Sequence, residues 1–347
     1  MRMTLSSGSK VVVAKRAAKV GSMPNSMHRT LRSAARMHTV PPVIATSAAA
    51  FRSALAELPL SPDARATARA AFLIAPAAKE LASESARDNR YMQMDAPFDA
   101  QRALVQHAEL AQVLRGDVPT VVFPGDAATP DAMFPNNVFA TVSGKLIVGR
   151  MRHAVRQREA ARADIRGFFR DVMGCEEIDL SRGDHGVAEL TGSLVIDHAR
   201  GIGYCGLSER CDMAGARALH EVFGLRLTFC FELAQGEYHT NVVMTSLAGR
   251  AAIMAPDGFA DPEVPRAIAR AFEDRVIWLT PAQKRAYAGN AITLSANRAW
   301  MSERAASSLT DAQRASLAEW GFAIGSVPLD EIEKAGGSLR CCVAEIF

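Results

Sequence analysis

The chain has 347 residues, 49% of them apolar, which suffices for one large or two ordinary domains with a buried core. Its formal charge is +3, but nine basic and no acidic side chains fall in residues 1–56, leaving 31 basic against 37 acidic residues beyond them. An acidic body excludes nucleic acid as a partner, and no apolar run approaches the roughly 18 residues that a membrane span needs.

The first 40 residues are basic, free of acids and rich in Ser and Ala, and they predict a flexible tail. A transit peptide for an organelle, or a start codon assigned too early, has the same composition, so these interpretations stay open. Six cysteines without CxxC spacing indicate reduced thiols. We therefore expect a soluble cytoplasmic protein, or an organellar one if the tail is a transit peptide. The predicted segments are a tail at 1–40, a helical extension at 41–69 and a catalytic domain at 70–347.

From residue 70 onward, short apolar strands alternate with amphipathic helices of about a dozen residues. Strands are predicted at 71–77, 118–123, 145–151, 193–205 (two strands about a tight turn), 225–230, 240–247, 251–256, 275–279 and 292–297. Helices are predicted at 153–174, 212–224, 262–273 and 311–320. This alternation predicts an α/β fold, and the hairpins exclude a purely parallel sheet.

Common cofactor and metal motifs are absent from the sequence. No GxGxxG follows a strand and no GxxxxGK[ST] occurs, so neither a dinucleotide nor a nucleoside triphosphate is indicated. The eight histidines show no HExxH pattern or paired metal-ligand spacing. We therefore expect a protein that needs neither cofactor nor metal.

Four polar clusters interrupt the apolar pattern, at Asn136-Asn137, at Glu189, at His239 with Asn241, and at the adjacent Cys341 and Cys342. Taken singly, they also fit a turn, a solvated acid, a structural histidine and core thiols. Together, a cysteine, a histidine and a carboxylate form a nucleophilic site in which a thiolate attacks an sp² carbon while histidine moves protons.

Five motifs stand in order along the chain: FPNN (134–137), ELTGS (189–193), YHTN (238–241), YAGN (287–290) and GGSLRCCVAEIF (336–347). With these motifs, the chain from about residue 70 resembles the guanidino-group-modifying superfamily, also called amidinotransferase or pentein. Arginine deiminase and dimethylarginine dimethylaminohydrolase belong to it, and the chain is most similar to its citrulline-utilisation hydrolase branch. The resemblance implies a five-bladed α/β propeller of ββαβ-type units with the active site at its central axis.

The resemblance also implies roles for single residues. Cys341 is the expected nucleophile, with a thiol pKa lowered by His239 and a cationic neighbourhood. His239 is the expected general acid/base, and Glu189 is the carboxylate that orients the histidine or contacts the substrate. Arg210 matches an arginine that binds the substrate's α-carboxylate, which suits bidentate pairing. The other motif positions expected at the substrate are Asn136, Asn137, Asn241, Asn290 and Arg340. Cys342 is expected to face the packing, because adjacent strand residues point to opposite faces.

Two asparagines carry the prediction of substrate. Asn137 and Asn241 stand where arginine deiminases have aspartates, and an amide matches a neutral ureido group better than a cationic guanidinium. The resemblance therefore favours a hydrolase that converts citrulline to ornithine, carbon dioxide and ammonia. An arginine deiminase or dihydrolase, and a non-catalytic pentein that only binds a partner, are the alternatives. The oligomeric state is left open, with a homo-oligomer as one option.

Overall fold

Five small sheets with one common strand pattern make up the described part of the chain. The computed structural model describes residues 42–58 and 65–347, so the prediction for residues 1–40 lies outside the described residues. In every sheet the first strand is antiparallel to the second, and the third strand is parallel to the second. The predicted α/β class with mixed sheets is confirmed.

The sheets follow one another along the chain. In the order first, second and third strand they are β16 (Ala344–Ile346), β2 (Ala70–Ile74) and β3 (Thr120–Phe123); β4 (Phe139–Val142), β5 (Lys145–Val148) and β6 (Glu176–Asp179); β7 (Leu194–Asp197), β8 (Ile202–Leu207) and β9 (Leu227–Glu232); β10 (Met244–Leu247), β11 (Ala251–Met254) and β12 (Val276–Trp278); β13 (Ile292–Ser295), β14 (Arg298–Ser302) and β15 (Ala323–Val327). The last strand of the chain thus completes the sheet that β2 begins.

Helical segments connect the strands or precede them. They are α1 (Ala48–Glu57), α2 (Ala100–Leu114), α3 (Ala154–Ala160), α4 (Ala163–Gly167), α5 (Leu190–Ser193), α6 (Met213–Val222), α7 (Thr240–Val243), α8 (Glu263–Ala271), α9 (Pro281–Arg285), α10 (Glu303–Ser308) and α11 (Asp311–Glu319). The second strands, such as the fully buried β11, are apolar at most positions because neighbours cover both of their faces.

Two predicted elements differ from the structure. The predicted strand at 240–247 begins with a helical turn, α7, and only its second half is the strand β10. The predicted helix at 153–174 is divided into α3, α4 and a wider turn over Phe168–Val172. In the first case buried surroundings outweigh the strand preference of consecutive valines.

The predicted N-terminal extension adds a strand as well as a helix. β1 (Val43–Ala45) pairs in parallel with β9 and gives that sheet a fourth strand. Ser47 begins α1 by accepting a hydrogen bond from the backbone N–H of Ala50. Phe51 on α1 is fully buried and stacks on Phe229 of β9, with ring centroids 4.6 Å apart. The extension is therefore held to the sheet by both backbone pairing and aromatic packing.

Within residues 42–58 and 65–347, no helix combines the length and apolarity needed to cross a membrane.

Replacing Phe51 with alanine should lower the free energy of unfolding by about 3–5 kcal/mol, because a fully buried aromatic ring leaves a cavity. Denaturant unfolding measures the change. Arg52→Ala is the matched control, since the neighbouring Arg52 side chain is 47% exposed and forms only a 3.9 Å ion pair with Glu263. An equal, small effect of both substitutions would contradict the docking of α1.

Candidate active site

All predicted site residues except Arg210, which follows β8, occupy the same place in their sheets, namely the segment that leads into the first strand. Asn136 and Asn137 precede β4, Glu189 precedes β7, His239 and Asn241 precede β10, Asn290 precedes β13, and Cys341 precedes β16. Residues more than 200 positions apart in sequence thereby come into contact. The tight helical turns α5 and α7 hold two of these segments.

A buried carboxylate fixes the orientation of the histidine. Glu189 and His239 are both 0% exposed, and Nε2 of His239 lies 2.9 Å from a carboxylate oxygen of Glu189. An ionised carboxylate only accepts hydrogen bonds, so Nε2 carries the proton. The other ring nitrogen, Nδ1, has no hydrogen-bond partner among the described residues. Nδ1 is therefore the nitrogen able to accept a proton.

Two asparagine amides surround the sulfur of Cys341. The Nδ2 of Asn290 donates to Sγ over 3.3 Å, and Nδ2 of Asn241 lies 3.7 Å away. Asn290 Nδ2 also donates to the backbone oxygen of Asn241, which ties the two segments together. The predicted nucleophile and two predicted substrate-binding residues are thus adjacent.

The turn that carries the cysteine needs unusual backbone. Gly336 has φ of +81°, a conformation that favours glycine, and its carbonyl accepts hydrogen bonds from Tyr238 and Asn89. Tyr287 has φ of +62° although it is buried, and its hydroxyl donates to the carbonyl of Glu333. Tyr238 and Tyr287 therefore hold the backbone that leads to Cys341 through hydrogen bonds to its carbonyls.

Several buried polar atoms around these groups lack a partner within the described residues. They are Nδ2 and Oδ1 of Asn136, Oδ1 of Asn137, Nδ1 of His239 and Oδ1 of Asn290. Gly192 lies between two of them: a Cβ there would come within 2.3 Å of Oδ1 of Asn137 and 2.9 Å of Nδ1 of His239. Buried donors and acceptors normally have partners, so this arrangement is typical of a site that hydrogen-bonds a ligand.

In this conformation, Cys341 and His239 are both uncharged near neutral pH. Burial raises the pKa of the Cys341 thiol, and the hydrogen bonds from Asn290 and Asn241 only partly offset it. Burial lowers the pKa of His239, although Glu189 acts in the opposite direction. The expectation of a lowered pKa for Cys341 is therefore wrong in this conformation. Burial raises the pKa by more than the positive charge of Arg340 lowers it.

Both predicted substrate-binding arginines already have carboxylate partners. Arg210 lies 3.1 Å from Glu189 through Nη1 and 3.0 Å from Asp88 through Nε. Burial alone would raise the pKa of Glu189, but Arg210 and His239 hold it well below its ordinary value. Arg340 pairs with Glu345 at 2.8 Å and donates to the carbonyl of Val343.

Cys342 is fully buried, as expected, but for another reason. Residues Leu339–Cys342 form a helical turn, so the alternation of a strand does not apply to the two cysteines. Both side chains contact the same hydrophobic core cluster. Only the sulfur of Cys341 is hydrogen-bonded by Asn241 and Asn290.

One segment that borders the site was not predicted from the sequence. Residues 84–91, here called the lid segment, reach the site and its rim through Ser85, Asp88, Asn89 and Tyr91. Cys341 is 1% exposed, so a substrate reaches its sulfur only after surrounding residues rearrange. Its sequence, ESARDNRY, contains acidic and amide side chains that could face a site. These residues follow neither the helix nor the strand period, so no structure could be predicted for them.

Among the residues that the structure describes, no group of three histidine, cysteine or acidic side chains is placed to hold a metal ion.

Known proteins resemble this chain at low sequence identity. An uncharacterized protein, YkgA, of Bacillus subtilis (strain 168) is 24% identical over 245 residues, which is 70% of this chain and 79% of the relative. The N-terminal domain of ArgZ, an arginine dihydrolase from the ornithine-ammonia cycle in cyanobacteria, superposes with a TM-score of 0.69 and 18% identity. That match covers 80% of this chain and 97% of the domain.

DDAH from Pseudomonas aeruginosa, solved in complex with citrulline, superposes with a TM-score of 0.63 and 20% identity. The match covers 81% of this chain and all of that one. The family model described as "N,N dimethylarginine dimethylhydrolase, eukaryotic" matches residues 75–347. Since that match spans most of the sequence, the chain belongs to this dimethylarginine dimethylhydrolase family, within the pentein superfamily of guanidino-group hydrolases.

Proposed function

We propose that this chain hydrolyses citrulline to ornithine, carbon dioxide and ammonia through a covalent intermediate on Cys341. The observation that carries the proposal is the sulfur of Cys341 held by two neutral amides, one of which, Asn241, follows two residues after a buried histidine whose free nitrogen is set by Glu189. In this proposal the five sheets surround a central axis as propeller blades, with the reactive groups at one end.

The polarity of the site favours a neutral substrate. A ureido group has one carbonyl acceptor and N–H donors. Nδ2 of Asn136 and the Oδ1 atoms of Asn136, Asn137 and Asn290 have no partner among the described residues, so they can supply the complementary donor and acceptors. A guanidinium would instead gain charge-assisted hydrogen bonds of about 1.5–3 kcal/mol each from carboxylates. Asn137 and Asn241 are uncharged and cannot form such hydrogen bonds, so the site should prefer citrulline to arginine.

In the first step, Nδ1 of His239 accepts the thiol proton as the sulfur of Cys341 attacks the ureido carbon. The tetrahedral species collapses when the imidazolium returns that proton to the δ-nitrogen, and ornithine leaves. The carbamoyl group stays on the sulfur as a thiocarbamate. Glu189 stabilises the imidazolium that forms transiently.

In the second step, neutral His239 takes a proton from a water molecule that attacks the thiocarbamate carbon. The carbon–sulfur bond breaks and Cys341 regains its proton. The released carbamic acid decomposes to carbon dioxide and ammonia, so one citrulline and one water give the three products. All proton and covalent steps are assigned to side chains of the chain itself.

Hydrolysis of arginine or a methylated arginine is the second candidate. The match to a dimethylarginine dimethylhydrolase family favours it, because such substrates carry a guanidinium. The same cysteine and histidine could then stop at citrulline or continue to ornithine. Separate incubations with citrulline, arginine and dimethylarginine, followed by measurement of ammonia and ornithine, distinguish the two.

Replacing Cys341 with alanine should abolish turnover, because no other described sulfur is held by Asn241 and Asn290. Cys342→Ala is the matched control, and we expect it to keep most of the activity with some loss of stability. Intact mass analysis should find a citrulline-derived adduct that depends on Cys341. Equal loss of turnover in both variants would refute the assignment of the nucleophile.

The preference for citrulline should depend on the charge at position 137. Asn137→Asp should raise the ratio of kcat/KM for arginine to that for citrulline by roughly 10- to 100-fold, since it restores a carboxylate for the guanidinium. Asn297→Asp, on the exposed turn between β13 and β14, adds the same charge away from the site. A ratio that changes equally in both variants would show that Asn137 does not select the substrate.

The pH dependence of kcat/KM should show a broad plateau. For activity, Cys341 and His239 must hold one transferable proton between them, either on the sulfur of Cys341 or on Nδ1 of His239. Activity is lost as pH falls through the lowered pKa of His239 and as pH rises through the raised pKa of Cys341. The plateau should extend below about pH 6.5 and above about pH 8.5, the ordinary values for these groups. A narrow optimum inside that range would show that the closed state does not set the pKa values.

A further inference from the structure

A cavity of about 450 Å³ lies at the C-terminal end of the lid segment. It is lined by Arg90 and Tyr91 of the lid segment, by Lys284 and Arg285 of α9 and by Arg304 of α10. None of these side chains is assigned above to the nucleophile, the histidine or the substrate. The cavity is therefore a candidate binding site that the proposed reaction does not use.

The charged groups that a ligand would meet in this cavity are mostly cationic. The side chains of Arg90 and Arg304 are 50% and 47% exposed, and Arg285 is exposed as well. Among the described residues that line the cavity, Asp257 is the only acid. Three accessible guanidinium groups thus face a single accessible carboxylate.

Lys284 and Asp257 add little to this imbalance, because each has a close partner. Nζ of Lys284 lies 2.8 Å from a carboxylate oxygen of Asp257 and 2.6 Å from one of Glu237. The side chain of Glu237 is fully buried, and it also accepts a hydrogen bond from Arg90. The negative charge near the cavity is therefore either buried or paired with Lys284, and the positive charge is accessible.

Two of the arginines keep unused hydrogen-bond donors. Arg304 contacts Glu333 through Nη1 alone, at 3.5 Å, and the side chain of Arg285 forms no hydrogen bond or ion pair with a described residue. A guanidinium has five N–H donors in a planar fork, which matches the oxygens of a carboxylate or a phosphate. Arg285 and Arg304 can therefore bind an oxyanion without the loss of a short ion pair.

We propose that this cavity binds a small organic anion, a carboxylate or a phosphate monoester, through Arg285 and Arg304. Its volume lies within the range of small-molecule sites, about 300–1,000 Å³, so the cavity has room for an organic group beside the anion. Tyr91 forms part of the lining, and its hydroxyl already donates to Glu237 over 2.7 Å. Its ring is the surface that remains for the organic group.

Titration calorimetry on the full chain tests the proposal with phenyl phosphate, inorganic phosphate and phenol as probes. We expect phenyl phosphate, which has both the anion and a ring, to bind more tightly than either part alone. Benzoate in its place shows whether a carboxylate or a phosphate is preferred. Because accessible charges are screened by salt, the Kd of phenyl phosphate should rise with ionic strength.

Arg285→Gln and Arg304→Gln should each raise the Kd of phenyl phosphate by roughly 10-fold, since each removes charge-assisted hydrogen bonds. Arg285→Lys keeps the charge and should restore part of the affinity. Arg266→Gln is the matched control, because Arg266 lies on α8, is 70% exposed and does not line the cavity. It should leave the Kd unchanged.

Three results would overturn the proposal. The first is the lack of saturable binding of phenyl phosphate and benzoate below about 10 mM. The second is binding of phenol as tight as that of phenyl phosphate, which would show that charge is not recognised. The third is an unchanged Kd in both Arg285→Gln and Arg304→Gln, which would place the anion elsewhere. Calorimetry requires no turnover, so this proposal and the proposed function can fail independently.

Discussion

The arrangement of the site depends on one fully buried anion. Glu189 lies between the guanidinium of Arg210 and the imidazole of His239, and it is 0% exposed. A carboxylate in such surroundings is stable only if charge and hydrogen bonds compensate for its lost hydration. Arg210 supplies the charge, and His239 supplies a hydrogen bond. The imidazole consequently has one defined tautomer and one free nitrogen that faces Asn137 and Gly192.

The repetition of a simple strand pattern explains how such distant residues meet. Each sheet begins with a short strand, and the segment before that strand contributes one or two polar side chains. Mutations in these segments therefore act on chemistry, whereas changes in the second strands act mainly on packing. The same division explains why buried asparagines occur directly next to strands that are otherwise apolar.

The sequence predicted the strands well where burial covers both faces. Runs such as AAIM and KLIV are recognisable from their apolar letters alone, and the motif order indicated which polar residues would meet. It failed at α7, because Val242 and Val243 favour a strand and only the surrounding packing makes them helical. The raised pKa of Cys341 could not be predicted either, since it depends on a burial that only the folded arrangement creates.

The burial of Cys341 gives its thiol a low chemical reactivity in this conformation. A thiol without a stable thiolate is a poor nucleophile, and Cys341 is almost fully shielded from solvent. Binding of the substrate must then supply both the opening and the conditions for proton transfer. Burial thus protects the thiol from reaction with unrelated electrophiles.

β1, the fourth strand of its sheet, covers an edge that could otherwise pair with a second copy of the chain in concentrated solution. β9, with the sequence LTFCFE, is rich in aromatic and β-branched residues, and β1 pairs with the edge that it would otherwise present. An uncovered edge of that composition is a template for pairing with another chain. The short extension thus guards against self-association during and after folding, and its loss would show first as aggregation rather than as a change in catalysis.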